Sequence, residues 1–180
     1  MADRVLATSK YLELVERDGW YFVHRPNIPG VVTIIALTPS EELVFVEQIR
    51  KPVGGPTIEL PAGLAGDEDA NEDLAEAARR ELFEETGFWA GRVEPLPRCA
   101  SSPGLTTELV SFFLATDLDR RGTGGGVGDE NIHVHLVPLR DASSWLAERS
   151  AQGFLVAAKV YAGLFFAHEH VQTKAPRSPG

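Results

Sequence analysis

Apolar and polar residues alternate over residues 4–26, with Tyr11, Leu12, Leu14 and Val15 in one run and Trp20, Tyr21, Phe22 and Val23 in the next. The break falls at Asp18-Gly19, a dipeptide that tolerates the positive φ of a tight turn, so the pattern predicts a hairpin. Arg25-Pro26-Asn27-Ile28-Pro29-Gly30 reads as a linker. Residues 31–37 form a continuous β-branched run suited to a buried strand, and residues 43–49 give the next strand after the turn Pro39-Ser40-Glu41-Glu42. A loop over 51–56 leads to a short extended piece at 57–61. Further strands are expected near 93–98, 109–116 and 132–138, and helices over 71–86, 141–149 and 156–168. Residues 1–30 are thus an antiparallel β-annex, 31–173 a mixed α/β domain, and 174–180 a disordered tail. No internal repeat is evident.

The helix over 71–86 has Asn71 as its expected N-cap, Glu72 and Asp73 in the first turn, and Gly87 as its stop. With Leu74 at zero and about 100° per residue, Ala78 falls near 40°, Glu81 near 340° and Glu85 near 20°. Two carboxylates therefore share the inward stripe, and Glu84, near 280°, flanks them. Inward carboxylates need a cation or buried basic partners, and hard oxygen donors suit Mg²⁺, or Mn²⁺ in its place. A solvated acidic face, paired by Arg79 and Arg80, is the competing reading of the same helix.

Composition narrows the ligand. The 180 residues carry 17 basic and 26 acidic side chains, a formal charge of −9, which disfavours sequence-independent nucleic-acid binding. An anionic small ligand is still compatible, since an acidic site recruits a divalent cation first. A single cysteine, Cys99, excludes an internal disulfide framework and suits a reducing compartment. No basic, apolar leader opens the chain, and the longest apolar stretch, 154–167, is too short for a bilayer and contains Lys159. The expectation is a soluble, cytoplasmic protein with neither nucleic acid nor membrane as partner.

Spacing decides between the two readings of the helix. Gly66, five residues, Glu72, seven residues and Arg80-Glu81-Leu82-Phe83-Glu84-Glu85-Thr86-Gly87-Phe88 match all nine specified positions of the 23-residue Nudix box. The chain resembles the Nudix hydrolases, which cleave nucleoside diphosphates linked to another moiety. The resemblance implies a Nudix-type α/β/α sandwich with a mixed sheet, and Glu81 and Glu85 as metal ligands, with Glu84 a further ligand or metal-water partner. It also implies that Arg80 and Glu72 brace the loop–helix–loop, while Gly66 and Gly87 permit its turns.

Outside the box, Val46-Glu47-Gln48-Ile49-Arg50-Lys51-Pro52-Val53-Gly54-Gly55 and Glu59-Leu60-Pro61-Ala62-Gly63-Leu64 resemble the ADP-ribose (ADP-sugar) pyrophosphatase branch. So does Ser102-Pro103-Gly104-Leu105, with its proline sixteen residues beyond Gly87. That likeness implies a metal-site carbonyl at Ala62, Glu59 beside the metals, and Leu64, Pro103 and Gly104 on the substrate side. It further implies a glutamate base on a late loop, for which Glu130 is the candidate and Asp129 the alternative. The preceding glycines, Gly122, Gly124, Gly125, Gly126 and Gly128, read as a bare connector or, with a base at their end, as a mobile lid.

Arg50, after a strand and before a Pro-Gly loop, is placed to clamp a pyrophosphate bidentately, and Arg25 to do so from the annex. Trp20 is a candidate for stacking on the base, or a hairpin or dimer-interface aromatic. By family likeness the annex implies a homodimer. The expected reaction is Mg²⁺-dependent hydrolysis of ADP-ribose or a related ADP-sugar to AMP and a sugar phosphate. GDP-mannose or another nucleotide sugar, or a non-catalytic ADP-ribose sensor, are the alternatives. His133 and His135 read as a strand-face pair, His168 and His170 as complements to a helix C-terminus. Ser101 and Ser102 lack a triad, and Cys99 reads as a packed small side chain.

Overall fold

The computed structural model describes residues 3–66, 72–128 and 130–174. Strands β1 (Arg4–Thr8), β2 (Glu13–Arg17) and β3 (Trp20–His24) form the expected antiparallel annex, in that order. Asp18 and Gly19 have φ of 53° and 82°, so the Asp-Gly turn forms where the pattern placed it. The annex is tied to the rest of the chain through Val23. Its N–H donates to the Leu105 carbonyl at 2.8 Å, and its carbonyl accepts from Thr107 N–H at 3.2 Å.

Among the described residues eight strands follow: β4 (Gly30–Ala36), β5 (Glu42–Arg50), β6 (Gly55–Glu59), β7 (Ala62–Ala65), β8 (Phe88–Ala100), β9 (Leu109–Arg120), β10 (His133–Pro138) and β11 (Leu155–Val156). They build two mixed four-stranded sheets, ordered β7-β4-β9-β8 and β10-β5-β6-β11. Both parallel pairings, β4 with β9 and β6 with β11, sit inside these sheets. Helix α1 (Leu74–Thr86) covers one side, while α2 (Ala142–Ala151) and α3 (Ala158–Lys174) cover the other. Strand β4 shows why the sandwich closes. Val32, Ile34 and Ala36 join Ala77, Ala78 and Leu82 of α1, whereas Ile35 joins Leu146, Val160 and Leu164 of α2 and α3. A strand buried on both faces reads as a near-continuous apolar run, as residues 31–37 do with Thr33 as the one polar side chain.

Four differences from the sequence reading have local causes. Helix α1 starts at Leu74, because the Asp73 side chain accepts from Ala75 N–H at 2.9 Å and is itself the N-cap. Asn71, the expected cap, lies outside the described residues. Strand β8 runs through Pro95 and Pro97 with an irregular register there, which an edge strand tolerates. Helix α3 starts two residues late, because Leu155 and Val156 pair with Thr57 and Ile58, and it continues through Lys174. Residues 175–180 of the expected tail lie outside the described residues. Cys99 is exposed near the end of edge strand β8, where residues 97–100 lack a covering layer, so it is not a packed core side chain.

Candidate functional site

Helix α1 presents the stripe that its periodicity requires. Ala78, Glu81, Leu82 and Glu85 are buried, with Glu81 and Glu85 at 9% and 5% exposure. The helix ends cleanly because Gly87 adopts φ 75° and donates to the Phe83 carbonyl at 2.7 Å. Strand β7 closes on these carboxylates from the side. Ala62 N–H donates to Glu85 Oε2 at 3.2 Å, and the Gly63 α-carbon lies so close to Glu81 that an added Cβ would stand 1.9 Å from its carboxyl carbon.

Arg80 organises the outer half of the cluster. Its Nε and Nη2 fork engages both oxygens of Glu72 at 2.9 and 3.0 Å, Nη1 reaches Glu81 and Glu84 at 3.0 and 3.1 Å, and Nη2 also reaches the Leu64 carbonyl at 3.2 Å. The fork holds the Glu72 carboxyl below the usual carboxylate range, with Gly66 N–H adding to the effect. Arg80 therefore positions carboxylates rather than presenting an open hand to a ligand.

Around this cluster opens a cleft of about 470 Å³, within the range of small-molecule sites. Of the residues singled out from the sequence, Arg25, Arg50, Ala62, Leu64, Arg80, Glu81, Glu84, Glu85 and Glu130 line it together. Glu59 stands behind them: buried, it binds Arg50 through both oxygens, Nε at 2.6 Å and Nη2 at 2.9 Å. That fork of Arg50 is thus committed to Glu59, leaving the Nη1 side for any other acceptor. Arg25 Nε is buried with no hydrogen-bond partner among the described residues, the condition an anionic ligand oxygen would relieve. Trp20, Pro103 and Gly104 come together elsewhere, in a second hollow of about 430 Å³ that also includes Arg17 and Phe22. Among the described residues the two spaces share no lining residue within one chain.

Glu85 tests whether the donor set fits a cation. Burial pushes its carboxyl up to about 8, the charges of Glu81 and Glu130 add to the rise, and Ala62 N–H and Arg50 oppose it. Buried carboxylates that repel one another in this way suit a hard divalent cation. Among the described residues no group of three or more Asp, Glu, His or Cys side chains is arranged to hold a metal ion by itself. An open arrangement of one or two carboxylates, a carbonyl such as that of Ala62, water and ligand oxygens is the form Mg²⁺ favours.

The glycine run is seated rather than loose in the structure. Gly125 N–H donates to the Glu85 carbonyl at 2.8 Å and Gly126 N–H to the Glu84 carbonyl at 3.1 Å, satisfying the end of α1. Glu130, at the far side of the loop, accepts from Val127 N–H at 2.9 Å. Asp129, the alternative base, lies outside the described residues.

The cleft also contains Gln48, Glu108, Val127 and Lys159, none of which the sequence reading chose. Lys159 did carry a signal, a lone cation inside an apolar helical stretch. Glu108 carried none, since it reaches the cleft only through the return from β8 to β9. Of the set-aside residues, His135 pairs with Glu47 at 2.8 Å and lies against Trp145. No helix among the described residues is long and apolar enough to cross a membrane.

The family model of the NUDIX domain matches residues 27–157. The methanol dehydrogenase activator of Bacillus methanolicus is 38% identical over 111 residues, 62% of this chain and 58% of that protein. The GDP-mannose pyrophosphatase of Enterobacter sp. (strain 638) is 33% identical over 158 residues, 78% of this chain and 81% of that one. The ADP-ribose pyrophosphatase of Bacillus subtilis (strain 168) is 34% identical over 125 residues, covering 67% and 64%. The match thus spans less than two thirds of two of these relatives. In fold, the crystal structure of an ADP compounds hydrolase matches with a TM-score of 0.76 over 98% of this chain and 95% of that one, at 19% identity.

Proposed function

Because the chain belongs to the Nudix family, we propose that it hydrolyses the pyrophosphate bond of a nucleotide sugar, ADP-ribose foremost, to AMP and a sugar phosphate. The observation that carries this reading is the single cleft in which Glu81, Glu84, Glu85 and Glu130 face Arg25 and Arg50. Such a site holds cations and phosphates side by side. Nudix hydrolases use divalent metals, and the reading here is Mg²⁺, with Mn²⁺ as substitute, held by Glu81, Glu85, Glu84 and the Ala62 carbonyl. When bound, the metal would neutralise charge on the diphosphate oxygens and acidify a water.

The chain's own groups supply the rest. Arg25, through the buried Nε, and Arg50, through Nη1, hold non-bridging phosphate oxygens. Glu130 takes a proton from the attacking water as the water oxygen bonds to phosphorus and the bridging P–O bond breaks. Arg80 keeps Glu81 and Glu84 in register through its shared Nη1. Leu64, beside the carboxylates, lines the substrate side, and Glu59 fixes Arg50. Trp20, Pro103 and Gly104 serve the base, in a homodimer that brings the annex hollow of one copy toward the cleft of the other. The annex supports this arrangement, since Tyr11, Trp20 and Tyr21 are each more than half exposed in the single chain. A division into annex (1–30), catalytic domain (31–173) and tail (174–180), with Gly30 drawn into β4 and Lys174 into the end of α3, and a cytoplasmic setting, belong to the same reading.

GDP-mannose is the second reading, favoured by the longer match to the GDP-mannose pyrophosphatase, 81% of that protein against 64% for the ADP-ribose enzyme. The test is product formation from ADP-ribose, other ADP-sugars, GDP-mannose and UDP-glucose with Mg²⁺, beside Glu85→Gln and Glu130→Gln. AMP from ADP-ribose, lost in the first variant and strongly reduced in the second, is expected. Turnover of GDP-mannose alone would move the substrate to the second reading. A metal-loaded protein that leaves every nucleotide sugar intact would overturn both.

A further inference from the structure

The connection from β9 to β10 reverses the chain, yet its glycines are placed far more narrowly than a reversal needs. Arg121 and Gly122 N–H both donate to the Gly87 carbonyl, at 2.9 and 3.1 Å, and Gly125 and Gly126 continue the contact along the Glu85 and Glu84 carbonyls. The approach is backbone against backbone. A Cβ on Gly124 would stand 2.4 Å from the Thr86 carbonyl carbon, and one on Gly87 would stand 2.2 Å from the Gly122 oxygen. Beyond this seam the chain turns back, with Ile132 N–H donating to the Gly125 carbonyl at 3.2 Å. The Glu130 side chain then folds over Gly126, where an added Cβ would meet Glu130 Oε2 at 2.5 Å and its Cβ at 2.6 Å. Val127 N–H fixes the same carboxylate oxygen at 2.9 Å.

We infer that residues 122–126 act as a backbone splint that sets the Glu130 carboxylate at a fixed place relative to the C-terminal end of α1, making Gly124 and Gly126 positioning residues for the reaction. The inference rests on the reading of Glu130 as the base. Its physical content is that one short seam ties two groups of the reaction together. Glu84 and Glu85 belong to the helix that offers the seam its carbonyls, and Glu130 is held by the loop that donates to them. A side chain at Gly124 opens the seam at the helix. A side chain at Gly126 leaves the seam's backbone in place and displaces the carboxylate.

Gly128 separates this role from ordinary loop strain. It has φ of 66°, beside 68° for Gly124 and 87° for Gly126, so all three carry the backbone penalty of a left-handed alanine. Among the described residues a Cβ on Gly128 meets nothing within 4 Å.

The experiment compares Gly124→Ala, Gly126→Ala and Gly128→Ala in the full chain with Glu130→Gln and the double variant Gly126→Ala/Glu130→Gln. It measures kcat and KM on the substrate turned over best, and Mn²⁺ affinity by spin-resonance titration of the free protein. Removing a positioned base costs about 100-fold or more in kcat. The expected result is a kcat loss of that order in Gly124→Ala and Gly126→Ala, with KM and Mn²⁺ affinity within about threefold of the parent. Gly128→Ala should keep the parental kcat, and the double variant should be no slower than Glu130→Gln alone. Equal losses in all three alanine variants, or losses that multiply in the double variant, would overturn the splint. If Glu130→Gln itself keeps full kcat, the reading of Glu130 as base has failed, whatever the glycine variants do.

Discussion

Gly63→Ala puts a single methyl against the carboxylate cluster. Gly63 of β7 pairs with Val32 of β4 and has no left-handed φ, so alanine costs the backbone nothing there. The new Cβ would lie 1.9 Å from the Glu81 carboxyl carbon and 2.1 and 2.3 Å from its oxygens, against a practical lower limit of 3.0 Å. The carboxylate must therefore retreat by more than 1 Å. A misplacement of about 1 Å is enough to cost on the order of 100-fold in rate, about 2.7 kcal/mol of barrier. Fold stability should change by less than about 1 kcal/mol, because what moves is the end of a flexible side chain. Steady-state kinetics on the best nucleotide sugar and urea denaturation of the same preparation measure both quantities. Wild-type kcat/KM in a normally folded Gly63→Ala protein would show that the position of Glu81 is immaterial, and would refute the argument for it as a metal ligand.

Three further outcomes follow from the same geometry. Glu72 has a folded-state carboxyl below its ordinary value of 4.5, so the Arg80 fork contributes stability above that pH and loses it as pH falls through the lower folded value. The stability gap between the parent and Glu72→Gln, measured by urea denaturation, should close on acidification; a gap that widens would contradict the pairing. Glu85 behaves oppositely in the chelator-treated protein. Its carboxyl at about 8 binds its proton more tightly when folded, so stability should drop as pH climbs from 4.5 toward 8, and Mg²⁺ or Mn²⁺ should restore it. In Glu85→Gln the slope should be shallower, and a slope as steep as the parent's would point to another group. Gly163→Ala in α3 would normally strengthen a helix, but its Cβ would stand 2.4 Å from Leu60 Cδ1. The expected result is a loss of about 1–3 kcal/mol in thermal or urea unfolding, and a gain would refute the close approach.

Several features of this protein are local and so were legible in the amino-acid order. A hairpin at Asp18-Gly19, a doubly buried strand over residues 31–37 and a helix with Glu81 and Glu85 on its apolar stripe follow from turn chemistry and from periods of 2 and 3.6 residues. The box spacing needed nothing beyond counting, and it pointed to the family directly. Other features depend on which segments meet. Glu59 takes the Arg50 fork only because β5 and β6 pair in the register that sets Arg50 opposite Gly55. Lys159 and Glu108 enter the cleft from α3 and from the β8–β9 return, each distant in sequence from the carboxylates they accompany. Trp20 and Pro103 share a hollow apart from that cleft because Val23 docks the annex on residues 105–107. The glycine run looked like punctuation in one dimension, whereas in three its missing side chains are what let the loop backbone reach the end of α1. Periodicity reports which face a residue occupies, but only packing decides what that face meets.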